Sequence, residues 1–279
     1  MARLRRPLRD PIEPQDSNPL DQALSQRDRD TMEMVGRALQ RKDVMLAFQP
    51  VMQAGGGKRP AFYEGFIRVL DETGRIIPAR DFMGAVEHQE MGRVIDCLSL
   101  DMGLEALSRD LSLRLAVNMS ARSVAYPAWM RTLRRGLKNC STAAERLILE
   151  ISEESAMVMP DIVAVFMRDL QKQGICFALD DFGAGMTSFR YLKAFLFDFI
   201  KIDGQFIRGI ADSPDNQCMT RALLAIAREF DMVAVAESVE SMRDAQVLAE
   251  MGMDCMQGYF FGAPTVTPPW KVPQEARRA

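Results

Sequence analysis

Eight short apolar runs, each closed or interrupted by a polar residue, constrain this chain more than any other feature. They cover residues 44–52, 61–70, 113–119, 147–151, 176–179, 197–202, 233–236 and 255–261, and helical periodicity fills most of the longer gaps between them. Strand alternating with helix implies a parallel sheet, and about eight strands within roughly 220 residues imply closure into a barrel. The first two runs are joined by a Gly-rich turn at residues 55–57, too short for a crossover helix, so that pair is expected to be an antiparallel hairpin. Helices are expected over residues 79–91, 95–107, 125–137, 160–173, 217–230 and 242–251, the last opened by a capping box from Ser241 to Asp244. A short amphipathic helix over residues 31–41 precedes the barrel, which is expected to span residues 42–265. A flexible polar stretch leads into that helix, and the Pro-rich tail at 266–279 is expected to lie over the surface.

The polar residues recur where strands should be apolar. Glu64, Asn118, Glu150, Asp180, Asp181, Lys201, Glu237 and Gln257 sit within or just after successive runs. Any one of them has a plain explanation, since an acidic residue after a strand is often the N-cap of the next helix. Together they are expected to meet, because the C-terminal strand ends of a parallel barrel share one face. Carboxylates crowded there repel one another unless cations neutralise them. Oxygen donors without Cys or His suit Mg²⁺, Mn²⁺ or Ca²⁺ rather than zinc or copper. Adjacent Asp180 and Asp181 could face two ions, or one could bridge them, an arrangement suited to phosphoryl chemistry. Gly183-Ala184-Gly185 follows, a lone GxG that a tight turn explains equally well.

Composition narrows the partners. A net charge of −3 and a pI near 5.5 argue against a surface for a nucleic-acid polymer. The basic run Arg131, Arg134, Arg135 and Lys138 reads as a solvated helix face, and the single histidine, His88, as a surface or structural residue. Five scattered cysteines form no CxxC pair, which points to a reducing compartment. No secretory leader and no membrane span is visible, so a cytoplasmic setting is expected.

In order and spacing, eight segments resemble the EAL-domain family of cyclic di-GMP phosphodiesterases. They are Phe48-Gln49-Pro50, Glu64-Gly65-Phe66-Ile67-Arg68, Val117-Asn118-Met119-Ser120, Leu149-Glu150-Ile151-Ser152-Glu153, Asp180-Asp181-Phe182-Gly183, Ile200-Lys201-Ile202-Asp203, Ala236-Glu237-Ser238-Val239-Glu240 and Gln257-Gly258-Tyr259-Phe260-Phe261-Gly262. The resemblance implies a TIM-like (β/α)8 barrel with one antiparallel strand, a pair of Mg²⁺ or Mn²⁺ ions, and opening of cyclic di-GMP to linear pGpG by a metal-activated water. It implies Glu64, Asn118, Glu150 and Asp180 as ligands of one ion, with Asp181 holding the second and Asp180 bridging. It further implies Lys201 orienting the water, Glu237 as general base supported by Gln257, Gln49 and Arg68 contacting substrate, and Glu153 steadying the loop after the Asp pair. A bacterial homodimer is implied, with any input signal arriving through the N-terminal region, the dimer contact or a separate regulatory protein.

The departures are specific. The signature Glu-Ala-Leu reads Glu64-Gly65-Phe66, Ser238 replaces a common Gly, and Ala184, Met186, Thr187, Phe189 and Arg190 alter the loop. Gly65 and Phe66 are expected to shift local geometry slightly, and the loop changes make regulation and dimerisation less secure than the ligand set. None removes a group the chemistry needs. The alternative expectation is a catalytically silent cyclic di-GMP receptor acting through a protein partner; relatives of that kind usually lose metal carboxylates or the lysine, which this chain keeps.

Overall fold

The computed structural model describes residues 19–56, 59–185, 189–268 and 270, without the side chains of residues 19–25, 189 and 190. Nine strands are present among them: β1 (Val44–Gln53), β2 (Pro60–Leu70), β3 (Ile76–Pro78), β4 (Leu115–Asn118), β5 (Leu147–Ser152), β6 (Cys176–Phe182), β7 (Phe199–Ile202), β8 (Val233–Ala236) and β9 (Cys255–Gln257). Every strand except β3 belongs to a closed barrel, in the order β1-β2-β4-β5-β6-β7-β8-β9 with β9 returning to β1. Within the barrel β1 alone is antiparallel to its neighbours, pairing Gln49 with Glu64 on β2 and Val51 with Gln257 on β9. The chain therefore forms the TIM-like barrel with one antiparallel strand that the alternation implies.

Strand side chains alternate between the two faces of a sheet, and this builds the barrel interior in layers. One residue from each barrel strand joins a small apolar cluster: Val51, Phe62, Ala116, Ile148, Ala178, Phe199, Val235 and Cys255. Two residues further on, the parallel strands and β2 carry Glu64, Asn118, Glu150, Asp180, Lys201, Glu237 and Gln257. On β1, which runs the other way, the same step is two residues back, to Gln49. The intervening residues, such as Leu115, Val117, Leu147, Leu149 and Ile151, face outward into the larger core beneath the helices. The apolar layer is thus a floor, and the polar residues form the layer above it.

Several expectations are corrected. The leading helix runs Pro19–Arg41, twelve residues longer at its start than the 31–41 segment expected. Its first half lacks an apolar stripe, but it is rich in helix formers, and Gln26 donates to Asp30 one turn on (2.7 Å). The helix expected over 79–91 is instead a 3₁₀ turn (Ala79–Asp81) and a single turn (Met83–Val86), followed by the start of the helix Glu90–Arg109. The chain folds back tightly between them: at Gly92 a Cβ would lie 2.7 Å from the carbonyl oxygen of Glu87. The last strand stops at Gln257 rather than 261, because the chain then turns over Val239, whose N–H donates to Gln257 O (2.9 Å) and whose carbonyl accepts from Phe260 N (3.1 Å). β3, antiparallel to the end of β2, was not expected at all. At the far end, Thr265 pairs with Phe48 on β1 and Trp270 packs against Phe48 and Tyr63 at 4.7 and 5.0 Å. The expectations for residues 1–18 and 271–279, and for Gly57, Met186 and Thr187, lie outside the described residues.

The remaining helices, including Pro127–Asn139, Pro160–Gln171, Pro214–Glu229 and Met242–Met251, match their expected positions within a few residues. Ser241 caps the last by accepting from Asp244 N (3.1 Å), while its hydroxyl donates to the Asp244 carboxylate (2.6 Å). Arg131, Arg134, Arg135, Lys138 and His88 are exposed. All five cysteines are free. Among the described residues no helix is long and apolar enough to cross a membrane.

Candidate active site

The strand register delivers the polar layer to one end of the barrel, where it floors an open cavity of about 1090 Å³. Its centre is Lys201, whose side chain is only 1% exposed. The ammonium lies 2.7 Å from Glu237 Oε1, 2.8 Å from Asp180 Oδ1, 2.9 Å from Glu150 Oε2 and 3.0 Å from Glu64 Oε2. Glu64 is the best held of the four, since Asn118 Nδ2 donates to its Oε1 (2.8 Å) and Gln257 Nε2 to its Oε2 (2.8 Å). Gln257 also donates to Gln49 Oε1 (3.2 Å), and Gln49 donates onward to Gly262 O (2.9 Å).

One ammonium has three N–H bonds and cannot satisfy four carboxylates. Asp180 Oδ1 sits at ion-pair distance without a hydrogen bond, and Glu150 Oε1 is likewise buried and unpartnered. Burial, then the Glu64 charge, raises the Glu150 carboxyl well above its ordinary range. Burial raises Glu237 as well, against the pull of Lys201. Asp181 rises to about 6, through loss of water and the adjoining Asp180. Burial alone would lower Lys201, but Asp180, Glu150, Glu237 and Glu64 together drive it well above its ordinary value.

Excess buried negative charge with orphaned oxygens is the chemistry of a cation site. Two groups bring one oxygen per residue within 4.8 Å of one another: Glu64, Glu150 and Asp180, and Asp180, Asp181 and Glu237. Asp180 belongs to both. The carboxylate and amide oxygens present fit Mg²⁺ or Mn²⁺.

Among the described residues four non-glycine positions have left-handed backbone: Lys42 and Asp231 follow helix ends, while Asp181 and Ser238 flank this site at φ 55° each. Such geometry carries strain that sites tend to keep. Glu153, buried, accepts from Gly183 N (2.8 Å) and Gly185 N (3.4 Å), so it touches the loop after the Asp pair and not the cluster itself. Arg68 stands apart on the cavity wall, donating to Ile67 O (2.9 Å) with its guanidinium 5.6 Å from the Phe66 ring centre. At Gly65 a Cβ would meet Leu46, Ala116 and Leu115 at 3.4–3.6 Å, ordinary van der Waals contact, so a small side chain fits there.

Sequence reading missed three wall residues: Asp96, Arg80 and Arg208. Asp96 had a visible signal. With Gly92, Ser99 and Gly103 it forms a small and polar stripe on the buried face of the helix Glu90–Arg109. Its Oδ2 accepts from Ser123 Oγ (2.6 Å) and Ser120 N (2.9 Å), yet burial still lifts its carboxyl from 3.8 to about 7. A carboxyl raised on folding stabilises below its unfolded pKa and loses that contribution as pH climbs through the folded value. Wild-type stability should therefore decline between about pH 4 and pH 7 on this account. Asp96→Asn, measured by urea unfolding, should flatten that decline and gain at most about 4 kcal/mol at pH 8; an unchanged pH profile would contradict the assignment.

Comparison with known proteins places these features in company. The EAL domain profile matches residues 32–264. The bifunctional diguanylate cyclase/cyclic di-GMP phosphodiesterase MucR of Pseudomonas aeruginosa is 30% identical over 237 residues, 82% of this chain and 34% of MucR. The cyclic di-GMP phosphodiesterase PdeF of Escherichia coli is 27% identical, over 84% of this chain and 31% of PdeF. The chain thus spans about a third of the length of the curated relatives it matches. Among solved structures, the FimX EAL domain from Pseudomonas aeruginosa bound to c-di-GMP is 26% identical with a TM-score of 0.77, over 85% of this chain and 97% of that one. The PaMucR phosphodiesterase–c-di-GMP complex is 27% identical with a TM-score of 0.75, over 85% and 98%.

Proposed function

Because this chain belongs to the EAL domain family, we propose that it hydrolyses cyclic di-GMP to linear pGpG with the help of two Mg²⁺ or Mn²⁺ ions. The observation that carries the reading is the convergence of Glu64, Glu150, Asp180 and Glu237 on Lys201 within 3.0 Å, at the end of the barrel where such folds work.

In this reading Glu64, Asn118, Glu150 and Asp180 would hold one ion, and Asp181, next to Asp180, would hold the second. Bound there, the ions would polarise the phosphoryl oxygens and make water more acidic. The protein supplies the rest. Lys201, 2.7 Å from Glu237, would orient the attacking water and place a fixed positive charge beside it. Glu237, 2.7 Å from the Lys201 ammonium, accepts the proton of the attacking water. Gln257, donating to Glu64, keeps it from rotating away, while Gln49 and Arg68 contact the substrate, Arg68 offering a planar donor face to a phosphate. Glu153 holds the backbone after Asp181, so the second carboxylate is presented in its strained conformation. The net reaction adds one water across one P–O3′ bond. The homodimer, the cytoplasmic setting and a separate regulatory partner are part of the same proposal.

Purified protein with Mg²⁺ or Mn²⁺ should convert cyclic di-GMP to pGpG, while Ca²⁺, with its looser coordination, should not. Tight binding of the nucleotide without product in either metal would replace the enzyme by a receptor. Turnover with Ca²⁺ equal to that with Mg²⁺ would overturn the two-ion account.

A further inference from the structure

On the outside of the barrel, away from the cavity, one helix concentrates positive charge. The helix Pro127–Asn139 carries Arg131, Arg134, Arg135 and Lys138 and no acidic residue, in a chain with more Asp and Glu than Lys and Arg. Its buried side is Trp129, Thr132 and Leu133, so the four cations fall together on the exposed side. They span about 10 Å of helix. Arg135 is matched by Asp101 on the neighbouring helix Glu90–Arg109 (2.8 Å), and Glu105, the next exposed acid along that helix, is engaged by Arg109. Arg131, Arg134 and Lys138 have no ion pair or hydrogen bond among the described residues. A cation in the last turn complements the helix dipole, which accounts for Lys138 but not for Arg131 or Arg134.

Beside the C-terminal end of this helix the chain holds up an apolar tip. Leu111, 68% exposed, is the one exposed large apolar side chain between residues 90 and 146. Its turn is firmly braced. Asp110 Oδ1 accepts from Ser112 N (2.9 Å) and Ser112 Oγ (2.7 Å). Arg146, itself buried, donates to Asp110 O (2.9 Å), Leu113 O (3.0 Å) and Leu107 O (2.9 Å), and through Nε to Thr142 O (3.1 Å). The guanidinium thereby clamps the Leu111 turn to the segment that follows Asn139. The turn leads into the N-terminal end of β4, whereas the cavity lies at the C-terminal ends of the strands.

Unpaired cations in a row beside a solvent-exposed leucine match a surface that is negative and has an apolar interior close behind it. A nucleic-acid backbone would use the cations but not the leucine. A protein partner needs a contiguous desolvated apolar core, and one leucine does not supply it. A bilayer needs no such core, since each Lys or Arg gains from the surface potential and a single inserted side chain adds to that gain. We propose that the exposed side of the helix Pro127–Asn139 and the Leu111 turn dock on an anionic phospholipid surface. Docking there leaves the cavity open to solvent and the hydrolytic groups untouched. The inference stands independently of the nucleotide that the cavity accepts.

The test is sedimentation of the full chain with vesicles, made either of phosphatidylglycerol and phosphatidylcholine in equal parts or of phosphatidylcholine alone. The chain should partition to the mixed vesicles and not to the neutral ones, and should leave them as salt rises from about 0.1 M to about 0.5 M. Arg131→Ala, Arg134→Ala and Lys138→Ala combined should weaken partitioning about 10²-fold, or about fivefold per cation. Leu111→Ser should weaken it about tenfold. Both variants should keep the wild-type melting temperature and the wild-type rate with cyclic di-GMP. Unchanged partitioning of the triple variant, equal partitioning to both kinds of vesicle, or none to either would overturn the inference. So would binding to polyuridylate or polyglutamate at about 0.1 M salt without binding to the mixed vesicles, which would assign the face to a nucleic acid or an acidic protein.

Discussion

Lys201→Met should yield a protein that, without divalent metal at pH 8, is about 3–5 kcal/mol less stable than wild type. Methionine fills the volume but leaves Glu64, Glu150, Asp180 and Glu237 facing one another with no counter-charge. The loss should shrink on acidification. Glu150 and Glu237 have folded pKa values raised by burial, so protonation favours the folded state, and that contribution fades as pH rises through their folded values. Added Mg²⁺ should restore much of the stability at pH 8 by supplying positive charge from outside. Urea titrations at pH 5.5 and pH 8, with and without metal, check this; equal stability of variant and wild type at pH 8 without metal would show that Lys201 does not neutralise the cluster. Turnover should fall by at least about 10²-fold, on the scale of losing one preorganised charge-stabilising group.

Glu64→Ala should abolish turnover to within detection, a loss of about 10³-fold or more. Glu64 is where three donors meet, from Lys201, Asn118 and Gln257. Its removal takes an oxygen from the group of Glu64, Glu150 and Asp180 and frees Asn118 and Gln257 to reorient. Metal-dependent thermal stabilisation should shrink in parallel, which separates this variant from one that merely weakens nucleotide binding. Retention of more than about a tenth of wild-type kcat/KM would be incompatible with Glu64 as a ligand.

Much of the barrel and its polar layer could be read from residue order, and the reason is geometric. A strand has period two, so an apolar residue followed two places later by a carboxylate, as in Ile148 and Glu150 or Ala178 and Asp180, states both a floor and a site. The antiparallel placement of β1 followed from the shortness of the 55–57 connection. What escaped reading lacked a local period. The first turns of the helix Pro19–Arg41 show no apolar stripe, and β3 is three residues long. The 79–91 stretch has helical spacing but is broken by a close backbone approach at Gly92, which no pattern of side chains announces. Arg208 and Glu240 lie 32 positions apart, and only the folded chain brings them together.

The two interior layers have a consequence for how the chain finds its pairing. Sliding β5, β6 or β7 by one position would turn its inner row outward, driving a carboxylate or the lysine into the aliphatic packing beneath the helices and leaving an aliphatic residue in the mouth. Each such mistake would bury an uncompensated charge, at a cost of several kcal/mol. The groups that most weaken the finished barrel are therefore also the ones that make its misaligned competitors least tolerable.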